Sequence, residues 1–160
     1  MNRRPRSLRG PLVLAAVSAL AGCATPAAQG VQPATELARQ RVLQLESELR
    51  HFVAAGPPAA AVTQLRARLA PDVEGYSGHT RVVVLAATPA EPNALPLAVF
   101  STTDGPRDGD PFGRWTVLMC VRLEARADAT VQAVPLTCPE GIPNPNLPTV
   151  DATVAYHPAG

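Results

Sequence analysis

Two clusters in this 160-residue chain hold residue types that could do chemistry. Gly75-Tyr76-Ser77-Gly78-His79 sets a serine two places before a histidine, the raw material of a nucleophile and its base. A serine elbow, however, needs glycine two places after the serine and a strand before it. This chain has His79 at that place and the end of a helical stretch before it. His51, His79 and His157 are its three histidines, none at ligand spacing from another, so no metal site is expected. Asp104, Asp108 and Asp110 crowd a glycine-containing loop and carry the oxygen ligands that calcium takes. The alternating acids and distal glutamate of a helix-loop-helix calcium site are missing, and turn formation accounts for Asp, Gly and Pro there. Trp115 beside Arg114 could hold a ligand between a ring and a guanidinium, although a tryptophan opening a strand more often anchors a core. No cofactor motif is present.

The cysteines carry a sharper signal. Arg3, Arg4, Arg6 and Arg9 make a basic start without acids, and residues 11–21 form an uncharged, largely apolar run. That run suits a signal h-region and is too short to span about 30 Å of hydrocarbon. It closes on Leu20-Ala21-Gly22-Cys23, which resembles the lipobox of bacterial lipoproteins. The resemblance implies removal of residues 1–22, diacylglyceryl modification of the Cys23 thiol and acylation of its freed amine, for instance by palmitate. Two or more chains hold a protein on a bilayer where one does not, each buried CH₂ contributing about 0.8 kcal/mol. Arg3-Arg4 lacks the bulky apolar residue usual two places after a twin-arginine pair, so the general secretory route is expected. Ala24 after the cysteine resembles the outer-membrane default of two-membrane bacteria. The location implied is cell membrane or outer membrane, lipid-anchored, with the domain on the extracytoplasmic side.

Lipidation of Cys23 would leave Cys120 and Cys138 as a natural disulfide pair in an oxidising compartment, two buried free thiols being the competing reading. Four of the 14 basic residues lie in the leader, so the remainder carries 10 against 13 acidic ones, about −3 in net charge. With no basic patch interleaved with aromatics, nucleic acid is not an expected partner.

Residues 23–34 are small, polar or Pro/Gly and read as the lipidated cysteine and a flexible tether, followed by a single domain over 35–160. Thr35 reads as an N-cap, and Ala38, Val42, Leu45, Leu49 and Phe52 lay one apolar stripe along a helix that Gly56-Pro57 stops. A second helix starts near Pro58 with Val62, Leu65 and Leu69 on one face. From residue 81 the period changes. Val82–Leu85 reads as a central strand, Leu95–Thr102 as a second, and 104–111 as a long polar loop. Arg114–Glu124 is an alternating strand with Trp115, Val117, Met119 and Val121 on one face. Residues 129–137 should return beside it, with either a broad loop or, as favoured, a bulge at Pro135 letting Cys138 reach Cys120, and 149–156 should form a last strand.

The fold class expected is α+β: an N-terminal helical hairpin packed on one face of an antiparallel sheet of about five strands, in two layers. This element order resembles the NTF2-like and cystatin-like folds, a resemblance that carries no activity. The function expected is a membrane-anchored extracytoplasmic lipoprotein acting as a non-enzymatic module that binds an envelope protein or a small ligand, without cofactor. The alternative is a small envelope hydrolase or lipid-handling enzyme built on Tyr76, Ser77, His79 and the 104–110 loop.

Overall fold

A computed structural model describes residues 26–70, 79–86, 90–142 and 148–158. Cys23, the Leu20–Cys23 tetrad, Tyr76 and Ser77 lie outside the described residues.

Helix α1 spans Pro26–Ala55 and α2 spans Pro58–Leu69. Ala34, Ala38, Val42, Leu45 and Leu49 of α1 are fully buried, at helical spacings of three and four that put them on one face. The exposed side is braced by Arg50, whose guanidinium lies 3.0 Å from Glu46 one turn earlier. Pro57, with extended backbone, caps α2, and Pro58 opens it, where a missing N–H costs nothing. Val62, Leu65 and Leu69 point inward, as their spacing predicts. Arg68 of α2 pairs with Glu48 of α1 at 3.7 Å, so the two helices form a hairpin.

The start of α1 corrects the expected tether. From Pro26 onward residues 23–34 are helix, with Pro33 inside it, and Thr35 is no cap: its Oγ1 donates to the carbonyl of Val31 at 2.7 Å. The reason is close packing. Gly30 and Ala34 are buried because small side chains let this end of α1 approach the sheet. Thr103 Oγ1 also donates to the Gly30 carbonyl at 2.9 Å.

The sheet comprises β1 (Thr80–Val84), β2 (Ala94–Asp104), β3 (Arg114–Ala125), β4 (Val131–Pro135) and β5 (Ala152–Val154). The first four run in the order β1-β2-β3-β4, each antiparallel to its neighbour, and β5 pairs parallel with β3. The α+β class, the helical hairpin and the five strands are those expected, except that β5 runs parallel to β3 against the antiparallel pairing expected. Position and register differ in three places. The run from Val82 belongs to a strand at the edge of the sheet, not its centre, because β1 pairs only with β2 among the described residues. It is apolar on both faces since Val82 joins the main core while Val83 joins a second cluster across the sheet. The long polar loop is itself a hairpin end. Asp108 (φ 48°) and Gly109 (φ 89°) form the two central residues of a turn closed by both backbone bonds between Arg107 and Asp110.

The third difference is the route to the disulfide. Val121 faces Pro135 and Ala125 faces Val131, without a bulge at Pro135, and the Leu136 N–H still donates to the Cys120 carbonyl at 3.1 Å. Ala129, at φ 64°, takes the left-handed position of a short loop, and Asp128 accepts from both the N–H and the hydroxyl of Thr130. Cys138 is thus diagonal to Cys120 on the same face, and the chain bends in after Leu136 to bring the two Cα atoms within 5.2 Å. The disulfide itself is the one expected.

Val42, Leu45, Leu49 and Leu65 of the helices meet Leu97, Val99, Val117, Met119 and Leu123 of the sheet in one core. Each fully buried leucine there contributes about 1.5–3 kcal/mol. Tyr156, beyond β5, is 2 % exposed and packs into the same core, pinning the last described segment.

Candidate functional site

Alternation along the strands gives the sheet a second apolar face. Val83 of β1, Ala98 and Phe100 of β2, and Leu118 and Cys120 of β3 point away from the helices. No helix covers them among the described residues. The connection between β4 and β5 does so instead, with Leu136, Cys138, Ile142 and Val150 packed against that face. The disulfide holds this connection down at Cys138.

Among the described residues the cover is incomplete. Between it and the sheet lies a pocket of about 620 Å³, within the range of small-molecule sites. Val83, Leu85, Ala94, Pro96, Leu136 and Ile142 make its wall largely apolar. Arg122 and Glu91 supply the charge. Arg122 sits on β3 opposite Pro96, its parity aiming it to the pocket side. Its guanidinium binds Glu124 at 2.6 Å and lies 3.6 Å from Glu91, so a cation between two carboxylates stands beside an apolar chamber. Such a wall can take up an apolar body and hydrogen-bond a polar end. Among the described residues its lining includes no histidine, cysteine or serine.

Sequence reasoning missed this place. Arg122, Glu124 and Glu91 each looked like an ordinary exposed charge, and the pocket draws on strands whose order no local pattern reveals. The one available signal was Cys138, since a cysteine bridged to a strand holds whatever follows that strand close to the sheet.

The residues singled out earlier lie elsewhere. Trp115 is half-buried at the opposite end of β3, and Arg107 lies over its ring at 5.0 Å from the centroid. Its Nε1–H donates to the Pro106 carbonyl at 3.2 Å, and the indole also lies against Gly30 of α1 and near Gly105. Arg114 is exposed and lies 3.6 Å from Asp104. The two neighbours therefore do not converge on one point. Arg107 is the centre of this end: it pairs with Asp151 at 2.6 Å, and Asp151 also accepts from the Thr116 N–H at 2.7 Å. Asp108 lies beside Arg107, and Asp110 accepts from the Phe112 N–H at 2.8 Å. Asp104 pairs with Arg114, Asp108 reaches into solvent and Asp110 holds the turn, and no cluster of three metal-ligating side chains occurs among the described residues. His51, His79 and His157 are exposed and far apart in sequence. The His79 carbonyl, not its ring, is what the fold uses, accepting from the Thr102 N–H at 2.7 Å.

No family model, curated protein or solved structure matches this chain.

Proposed function

We propose that this chain is a lipoprotein of a bacterial envelope, anchored through Cys23, whose domain binds a small amphiphile in the pocket on the outer face of the sheet without catalysing a reaction on it. The observation that carries the binding role is the pairing of a 620 Å³ apolar chamber with the Arg122–Glu91–Glu124 charges at its side. The anchor rests on Leu20-Ala21-Gly22-Cys23 and the basic, then apolar, stretch before it. One feature of the fold supports that reading: the Cys120–Cys138 bond suits an oxidising compartment. Among the described residues no helix is long and apolar enough to cross a membrane.

The anchor is tested by intact-mass measurement of protein taken from its native membrane. Loss of residues 1–22 with added acyl mass is expected; a species that keeps Met1, or carries no acyl group, overturns it. The pocket is tested with laurate as probe, by calorimetry on wild type and on Ile142→Trp, whose larger indole narrows the chamber. Heat of binding in wild type and its loss in a variant with unchanged Tm is expected. Equal binding by both, or none by either, removes the pocket from the proposal.

A further inference from the structure

Phe112 is 83 % exposed, and with Leu43 it makes up the large apolar side chains left in solvent among the described residues. A slack loop would fold such a ring back onto the protein. This one cannot. Arg107 and Asp110 exchange both backbone bonds across the tight Asp108-Gly109 turn, and Asp110 then holds the Phe112 N–H. Arg107 is fixed in turn by Asp151 and by the Trp115 ring. The exposure of Phe112 is built into the hairpin end.

Its place in the fold gives the exposure a direction. Gly105, where the hairpin end begins, lies against Gly30, and Thr103 is hydrogen-bonded to the Gly30 carbonyl. The base of this hairpin end therefore lies beside Gly30 of α1. Pro26 stands four residues, or about 6 Å of helix, before Gly30. Cys23 comes three residues earlier still, at most about 11 Å of chain. Cys23 is thus only seven residues of chain from Gly30, beside which the hairpin end carrying Phe112 begins.

We propose that Phe112 is a foot: its ring enters the headgroup–acyl boundary of the bilayer that holds Cys23, and fixes the domain's orientation on that surface. The proposal rests on the anchored reading above. Its partner is the lipid surface itself, met through apolar contact. Arg107 and Arg114 are offset by Asp104, Asp108 and Asp110 in the same loop, so attraction to lipid phosphate is not the driving term. A ring at the interface beside a lipid chain adds a second, orienting attachment.

The test uses the full chain, its acylation confirmed by intact mass, in vesicles of phosphatidylethanolamine and phosphatidylglycerol doped with brominated lipid. Trp115 is the one natural tryptophan, so wild type supplies the emission baseline and Phe112→Trp adds a single reporter at an exposed site. The expected result is loss of the added emission to lipids brominated on the upper acyl carbons, together with protection from aqueous acrylamide. Acylated protein whose added emission is quenched by acrylamide and untouched by bromolipid overturns the foot while leaving the anchor standing. Protection from both quenchers that grows with protein concentration assigns the ring to a second copy of the chain and also overturns it. Protein without acyl mass overturns the anchor, and the foot with it.

Discussion

Gly30 of α1 lies directly against the indole of Trp115, so closely that a β-carbon added to the glycine would stand 1.9 Å from Trp115 Cδ1. Helix and sheet touch here through the absence of a side chain. Gly30→Ala is therefore expected to lower stability by about 1–3 kcal/mol through overpacking, although alanine is the better helix former by about 1 kcal/mol. Gly56→Ala, with nothing within 4 Å, is the control and should change little. Urea unfolding of both variants checks the sign, since a stabilised Gly30→Ala would mean that this contact is not made.

Asp151 fastens β5 to the rest of the sheet by two routes. It accepts from the Thr116 N–H and pairs with Arg107, while its own N–H donates to the Thr116 carbonyl at 2.8 Å. Asp151→Ala removes both side-chain bonds at a carboxylate that is only 8 % exposed. The expected loss is about 2 kcal/mol, the scale of hydrogen bonds to a charged group, with faster amide exchange confined first to 152–154. Uniform acceleration across β2 and β3 would refute a local role.

The Cys120–Cys138 bond closes a separation of 18 residues. Reduction, or Cys138→Ser with Cys120→Ser, should cost about 3 kcal/mol by the loop-entropy relation. The same change frees the cover over the second face, so laurate binding should weaken by more than the global stability loss explains. Thermal unfolding with and without reductant gives the first quantity, and calorimetry well below the transition gives the second.

Tyr156 supplies a pH signature. Burial pushes its hydroxyl above the ordinary 10.0, the negative charge of Glu46 adds to the rise and Arg39 opposes it. An unfolded chain gives up that proton near its ordinary value, while the folded chain keeps it. The stabilisation is thus complete below about pH 10 and declines as pH rises above it. Unfolding free energies measured from about pH 9 upward should fall, and Tyr156→Phe should flatten that fall. An unchanged slope in the variant would show that Tyr156 is not the group responsible.

Much of the fold was legible where one physical signal dominates. The stripe Val42, Leu45, Leu49 and the run Val62, Leu65, Leu69 name their helices because burial needs one face at helical spacing. Trp115, Val117, Met119 and Val121 name β3 by alternation. The start of α1 was hidden for the opposite reason: Gly30 and Ala34 pack by being small, and small residues in sequence look like a tether. The edge position of β1 was hidden because strand order depends on distant pairing, and Val82-Val83-Val84 looks the same in either place. The pocket was the least legible part. Its wall comes from β1, β2, β3 and the connection after β4, and its charges gain meaning only once Glu91 and Glu124 are seen on either side of Arg122.

One edge of β3 is served in relay: β4 covers Val121 to Ala125 and leaves, and β5 arrives to cover Val117 to Met119. Without the final segment, that second stretch would offer bare backbone N–H and C=O groups to any extended chain nearby, a template for runaway strand addition. The short parallel strand, held by Asp151 in front and Tyr156 behind, pairs those groups and puts only a three-residue strand outside them.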